Sequence, residues 1–199
     1  MGTQERKERE REALRELIIQ TALVIVETEG LESLTMRAIA DRIEYSQSKI
    51  YAFFPSKDAL CAVLCQDNCE KMLEILKKVP LTDSPEKDLK KLVLKTMEFH
   101  ASHPHSDELL TEVCFGKKPQ EIPKAFLEIE KLFIAALTKL KSPHIRSNED
   151  LQAALDIIRC IFIGVSSLMR AKVSKEGHKR GLLMAENTLD VLLRGWNHE

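Results

Sequence analysis

Apolar residues recur every three to four positions along almost the whole chain, with breaks at a few glycines and prolines. This spacing predicts amphipathic α-helices, and no segment shows the strict alternation that is typical of a strand. The breaks predict nine helices, at about 4–28, 35–42, 46–53, 56–79, 85–102, 106–115, 120–141, 148–173 and 178–197. The predicted fold class is therefore all-α.

Several residues predict where the first helices begin and end. Gly30 follows the first helix, and Thr35, Ser46 and Ser56 precede the next three, where a side-chain oxygen can accept a hydrogen bond from a free backbone N–H. The first helix starts in the charge alternation QERKERERE, which predicts a solvated helical extension or a frayed tail.

The two short helices at 35–42 and 46–53 have the dimensions of a helix-turn-helix, with the motif at about 35–54. In such a motif the second helix enters the major groove of DNA, and its first residues meet the base edges. These residues are Ser46, Gln47, Ser48 and Lys49, whose hydroxyl, amide and ammonium groups can bind bases or phosphates. We therefore expect a DNA-binding domain at 1–60, followed by a second helical domain at 61–199.

Two cations occupy unfavourable places in this region. Lys49 and Lys57 fall in the first turns of predicted helices, where the helix dipole favours acidic side chains. A DNA phosphate would resolve this conflict, since it binds both the lysine and the helix N-terminus. Tyr45 and Tyr51 are the only tyrosines of the chain, and their phenolic groups can also donate to phosphate.

The charge of the chain limits how broad such an interface is. The formal net charge is −1, and residues 1–60 hold nine Lys or Arg against eleven Asp or Glu. Only the stretch 35–57 is basic, with Arg37, Arg42, Lys49 and Lys57 against two acids, so the basic footprint is local. The composition indicates neither a membrane partner nor a signal peptide, and five cysteines without paired CxxC spacing suggest free thiols in the cytoplasm.

Motifs for common enzyme chemistry are missing from the sequence. It contains no GxGxxG, P-loop or GxSxG pattern, so we expect no enzyme activity and no cofactor. Cys61, Cys65 and Cys69 share one helix face, and His100, His103 and His105 cluster further along. A metal or thiol-sensing site is one interpretation of these residues, but buried cysteines also serve as small apolar side chains, and we assign no metal site.

The run TALVIVETEGLESLTMRAIADRIEYSQSKIYAFFPSKDAL resembles the N-terminal domain of the TetR family of transcriptional regulators. The resemblance rests on thirteen residues in family order: Ala22, Glu27, Gly30, Leu34, Thr35, Ile39, Ala40, Ser46, Tyr51, Phe54, Ser56, Lys57 and Leu60. It implies a nine-helix architecture, with a three-helix DNA-binding domain and a helical domain for ligand binding and dimerisation.

The resemblance also implies roles for individual residues. Thr35 would cap the second helix and contact phosphate, and Tyr51 and Lys57 would hold the DNA backbone. Gln47, Ser48 and Lys49 would lie at the base-reading positions. The predicted DNA-binding set is Thr35, Arg37, Tyr45, Ser46, Gln47, Ser48, Lys49, Tyr51 and Lys57. Glu44 departs from the family pattern, since it stands where a glycine is usual and brings a negative charge close to DNA.

The remaining residues predict two further surfaces. A mainly apolar effector pocket is expected at 61–173, with Cys61, Cys65, Met97, Phe99, Phe115 and Phe126 as candidate contacts. Apolar stripes on the last two helices, together with the resemblance, predict a homodimer interface. Its expected residues are Leu155, Ile158, Phe162, Val165, Met169, Leu182, Leu189, Leu193 and Trp196.

The predicted function is a cytoplasmic, ligand-responsive repressor that binds an inverted-repeat operator as a dimer and releases it on binding a small molecule. An alternative is a helical small-molecule-binding or adaptor protein whose helix-turn-helix does not bind DNA, as the acidic balance of 1–60 and Glu44 suggest. A third hypothesis is an all-helical metal-dependent enzyme that uses the cysteine and histidine cluster.

Overall fold

The computed structural model describes residues 2–103, 105–115, 121–171 and 175–197. These residues form nine α-helices and one short 3-10 turn and contain no β-strand. The helices are α1 Thr3–Glu29, α2 Met36–Arg42, α3 Gln47–Tyr51, α4 Lys57–Lys77, α5 Pro85–Ser102, α6 Ser106–Phe115, α7 Lys124–Lys139, α8 Asn148–Ala171 and α9 Lys175–Asn197, and the 3-10 turn is Leu31–Ser33. The predicted all-α, nine-helix fold is confirmed.

The helix boundaries agree with the predicted ones to within a few residues. The largest shift is at α7, which begins at Lys124 rather than at 120, a position outside the described residues. The 3-10 turn was not predicted, since three residues are too few to show a period. The alternation QERKERERE is part of α1, so this segment is a helical extension rather than a frayed tail.

The chain divides into two compact units. The first contains residues 1–67 and 108–121, and the second contains 68–107 and 122–199. The sequence-based division at residue 60 thus differs from the structural one, in which α4 begins in the first unit and ends in the second.

The first unit is organised around α1, which contacts the 3-10 turn and α2, while α2 packs on α3. Fully buried side chains from each segment form its core, including Ile18, Ile25, Leu34, Ile39, Ile50 and Leu60. Gly30 ends α1 with φ 84°, and its N–H donates to the Val26 carbonyl at 3.0 Å. Glycine suits this place because a positive φ costs it nothing.

The second unit is built on α5, α7, α8 and α9, and α5 contacts each of the other three. One cluster in its core joins Met97 of α5 to Ile161, Val165 and Met169 of α8 and to Ala185 of α9. Lys90 of α5 also forms ion pairs with two acids of α9, at 2.7 Å to Asp190 and 3.6 Å to Glu186. These contacts fix which face of α8 and α9 points into the chain.

Candidate nucleic-acid interface

The start of α2 is capped as the sequence predicts. The Thr35 hydroxyl accepts a hydrogen bond from the Ala38 N–H at 3.0 Å, which satisfies one free donor of the helix N-terminus. Arg37 lies on the exposed side of α2 and pairs with Asp41 at 3.6 Å. Met36 and Ile39 are buried, so α2 has one face in the core and one in solvent.

The turn between α2 and α3 contains a strained residue. Glu44 has φ 58°, in the left-handed region, and the N–H of the next residue, Tyr45, donates to the Ala40 carbonyl at 3.0 Å. This hydrogen bond is the one that closes a Schellman motif, in which glycine normally occupies the position of Glu44. A side chain here costs about 1–2 kcal/mol.

The first turn of α3 presents its polar side chains to solvent. Ser46, Gln47, Ser48 and Lys49 are all exposed, while Ile50 is fully buried against the core. Ser46 stands at the N-cap position, as predicted, but its hydroxyl does not cap the helix. It lies 2.9 Å from the Ser48 hydroxyl instead, so the two side chains hydrogen-bond to each other.

Two aromatic side chains flank this surface. Tyr45 is 45% exposed and Tyr51 is 49% exposed, which is unusual for large rings with an apolar body. A ring that remains in solvent beside polar side chains suits a binding surface better than a core. Both tyrosines are therefore exposed, and their contact with DNA stays a prediction.

The structure gives the Lys57 ammonium a partner that the sequence analysis did not predict. Its ammonium donates to the Leu31 carbonyl at 3.0 Å, a partner 26 residues away, and the side chain is half-buried. The Ser56 hydroxyl caps α4 by accepting from the Ala59 N–H at 3.0 Å, and Asp58 supplies an acid to the first turn. Lys57 is thus not a free cation at a helix N-terminus, because a carbonyl of the 3-10 turn before α2 already holds it.

Ion pairs reduce the basic character of the 35–57 stretch. Arg37 pairs with Asp41, and Arg42 pairs with Glu29 of α1. Lys49 forms no ion pair within the part of the chain that the structure describes. The local positive charge is therefore concentrated at α3.

The predicted effector contacts are core residues in the structure. Cys61 and Cys65 are buried in the first unit, and Met97, Phe99 and Phe126 are buried in the second. The side chain of Phe115 lies outside the described residues. The positions of these residues therefore do not indicate contact with a ligand.

The Cys61 thiol of α4 is poorly suited to redox sensing. Burial raises the pKa of the Cys61 thiol to about 11, with Asp58 and Glu112 acting in the same direction and Lys57 opposing them. The reactive thiolate is therefore scarce at neutral pH. Among the described residues, no group of three His, Cys, Asp or Glu side chains is arranged to hold a metal ion.

Six of the nine residues predicted for the dimer interface are not exposed in the single chain. Leu155, Ile158, Val165, Met169, Leu189 and Leu193 are each at most 6% exposed, because they pack inside their own chain. Phe162, Leu182 and Trp196 are half-buried, and the first two pack against the Met97 cluster. An apolar stripe shows that a face is buried, but not whether another chain buries it.

Five large apolar side chains remain exposed on the same helices, and the sequence analysis did not identify them. They are 40–61% exposed: Ile157, Ile163 and Leu168 on α8, and Leu183 and Val191 on α9. We call these five residues the outer apolar surface.

The segment 148–170 is also long and apolar enough to span a membrane by composition, with a mean hydropathy of 1.6. An α-helix of a folded domain reaches such a hydropathy without a membrane when it is apolar on both faces.

The sequence matches a known family in its N-terminal part. Residues 18–64 match the family described as bacterial regulatory proteins, tetR family. This segment covers the C-terminal part of α1, all of α2 and α3, and the beginning of α4. No curated protein matches the chain in sequence.

Solved structures share the fold over most of the chain. A TetR variant from Acinetobacter baumannii AYE in complex with minocycline is 20% identical, with a TM-score of 0.67, and the match covers 92% of this chain and 97% of that one. A TetR transcriptional regulator from Streptomyces coelicolor is 15% identical, with a TM-score of 0.62 and coverages of 93% and 99%.

BioQ with its natural double-stranded DNA operator is 17% identical, with a TM-score of 0.63 and coverages of 86% and 95%. At these identities the similarity establishes a shared fold, whereas the family match identifies the N-terminal domain. Residues 18–64 therefore match the tetR family, and the chain shares its fold with solved TetR proteins.

Proposed function

We propose that the protein binds an inverted-repeat DNA operator as a homodimer, represses transcription in the cytoplasm, and releases the operator when a small molecule binds. The observation that carries this proposal is the first turn of α3, where Gln47, Ser48 and Lys49 are exposed above the buried Ile50. A helix anchored in this way can place amide, hydroxyl and ammonium groups in the major groove without disturbing the core.

Base recognition is expected at Gln47 and Lys49. Gln47→Ala or Lys49→Ala should change which bases the protein selects from random duplex DNA, because these side chains reach base edges. Selection followed by a salt-titrated shift assay measures this, with Gln20→Ala, an exposed glutamine of α1 outside the predicted DNA-binding set, as a control. Selection of no duplex by the wild-type protein would favour the alternative, an adaptor or small-molecule-binding protein that does not bind DNA.

Lys57 is expected to have two roles. Its ammonium has three N–H donors and gives one to the Leu31 carbonyl, so two remain for a DNA phosphate. Lys57→Met should lower stability by about 1–3 kcal/mol, because the carbonyl loses its partner. It should also flatten the plot of log K against log salt by about one unit per subunit. A lower melting temperature with an unchanged slope would confine Lys57 to a structural role.

The outer apolar surface supports the homodimer part of the proposal. Five large apolar side chains on α8 and α9 remain in solvent in the single chain, and Gly164 and Ser167 lie exposed among them. Small residues permit two helices to approach closely, and a second copy of the surface would remove the apolar side chains from water. A symmetric dimer would present two copies of α3 to an inverted repeat.

Release by an effector is supported by the fold and by one relative. The A. baumannii TetR variant was solved in complex with minocycline, and it shares the helical architecture. In our proposal, a small molecule bound among the helices of 61–173 acts on α4, which starts at Lys57 and runs without a break to Lys77. Coupling of this kind is reciprocal, so operator DNA would weaken effector binding by the same factor.

A further inference from the structure

A depression of about 490 Å³ lies between the N-terminal part of α1 and the α3 region. Its walls are Lys7, Glu10, Arg11 and Leu14 from α1, and Tyr45, Lys49, Ala52 and Phe53 from the helix-turn-helix side. We call it the α1–α3 groove. Two of its residues, Tyr45 and Lys49, also belong to the candidate nucleic-acid interface, so the groove continues that surface.

The charges in the α1–α3 groove are unbalanced. Three cations, Lys7, Arg11 and Lys49, face one acid, Glu10. Glu10 is already paired with Arg6 at 2.8 Å, and neither lysine forms an ion pair within the described residues. Cations held close together without a counter-charge repel each other, so the arrangement fits a bound anion.

Two contacts between arginines of α1 and phenylalanine rings hold the two walls of the groove together. The Arg11 guanidinium lies 5.9 Å from the centre of the Phe53 ring, and Arg15 lies 5.6 Å from the centre of the Phe54 ring. Leu14, which also lines the groove, is only 9% exposed. The two arginine–ring contacts therefore hold the helical extension beside α3.

The part of α1 that forms the groove is a feature of this chain rather than of the matched domain. The family match begins at residue 18, whereas Lys7, Glu10, Arg11 and Leu14 all precede it. The helical period also places Arg9 on the side of α1 opposite to Lys7 and Arg11. The helix thus places Lys7 and Arg11 on the side of α1 that faces α3, and Arg9 on the opposite side.

We propose that the α1–α3 groove binds a phosphate of the DNA backbone beside the bases that α3 reads, with Lys7 as the main contact and Arg11 as a second. This inference rests on the proposed DNA binding. DNA supplies such an anion as a backbone phosphate, and phosphate contacts fix how a recognition helix is placed. The N-terminal extension then strengthens binding to every sequence alike.

The test compares Lys7→Gln with Arg9→Gln, which removes the same charge from the opposite side of α1. The probe is a duplex that the wild-type protein has selected from random DNA. Lys7→Gln should flatten the plot of log K against log salt by about one unit per subunit, hence by about two for a dimer. Arg9→Gln should leave the slope unchanged, and circular dichroism should show the same helix content for all three proteins.

Phosphate ethylation locates the contact on the duplex. Ethylation of one backbone position in each half-site should hinder the wild-type protein and no longer hinder Lys7→Gln. Equal slopes for Lys7→Gln and Arg9→Gln, with normal binding by the wild type, would overturn the groove assignment but leave the proposed function standing. Binding of inorganic pyrophosphate to the groove without any change in DNA slope would assign it to a free anion and also overturn the inference. A wild-type protein that selects no duplex would overturn both.

Discussion

Leu168→Arg is expected to make the protein monomeric at micromolar concentration and to weaken operator binding by roughly 100-fold or more. Leu168 is 55% exposed on α8, within the outer apolar surface. In a symmetric dimer each copy would bury an arginine without a partner, which disfavours association strongly. A monomer binds one half-site alone and loses the gain that comes from two linked contacts. Sedimentation equilibrium and a shift assay on the selected duplex measure the two effects.

Two other arginine substitutions separate dimerisation from folding. Leu127→Arg changes a leucine of similar exposure, 41%, on α7 and outside the outer apolar surface, so this variant should remain dimeric and bind DNA normally. Val165→Arg places the charge in the core of α8, where the side chain is 6% exposed, and should unfold the protein rather than dissociate it. If Leu168→Arg stays dimeric, or if the wild type sediments as a monomer, the proposed interface is wrong.

Glu44→Gly is expected to raise stability and to tighten DNA binding. Glu44 has φ 58°, and relief of the left-handed strain, about 1–2 kcal/mol, exceeds the entropy cost of glycine, about 0.5–1 kcal/mol. The melting temperature should rise by about 2–4 °C for each kcal/mol gained. The change also removes a carboxylate two residues before α3 begins at the Ser46 cap, so affinity should increase most at low salt, where screening is weakest.

Lys141→Gly is the matched control for Glu44→Gly. Lys141 is the other described non-glycine residue with a positive φ, at 50°, and it lies in the second unit. It should show a similar gain in melting temperature without any gain in DNA affinity. A lower melting temperature for Glu44→Gly would exclude the strained turn. An affinity at low salt equal to that of the wild type would place Glu44 away from the DNA.

Features that depend on local sequence are the ones that could be predicted. The nine helices follow from their apolar period, and Thr35 and Ser56 cap their helices because the required N–H groups lie three residues further along the chain. The strain at Glu44 also follows from local pattern, since a helix end that normally requires glycine keeps the same backbone when another residue stands there.

Features that depend on distant contacts could not be read from these patterns. Nothing near Lys57 in the sequence indicates that its ammonium binds the Leu31 carbonyl. The period of α8 shows an apolar stripe through Ile158 and Val165, but a second set, through Ile157 and Leu168, is apolar as well. Only the packing of α8 on α5 and α9 determines which set faces inward.

The unequal environments of the cysteines provide a built-in labelling site. Cys61, Cys65 and Cys69 are buried, Cys114 is half-buried, and Cys160 is exposed on α8. A maleimide dye added to the native protein should therefore attach to Cys160 first, without any engineered cysteine. Cys160 lies on the same helix as Ile157 and Leu168, so the spectrum of the attached dye would report on assembly of the protein in solution.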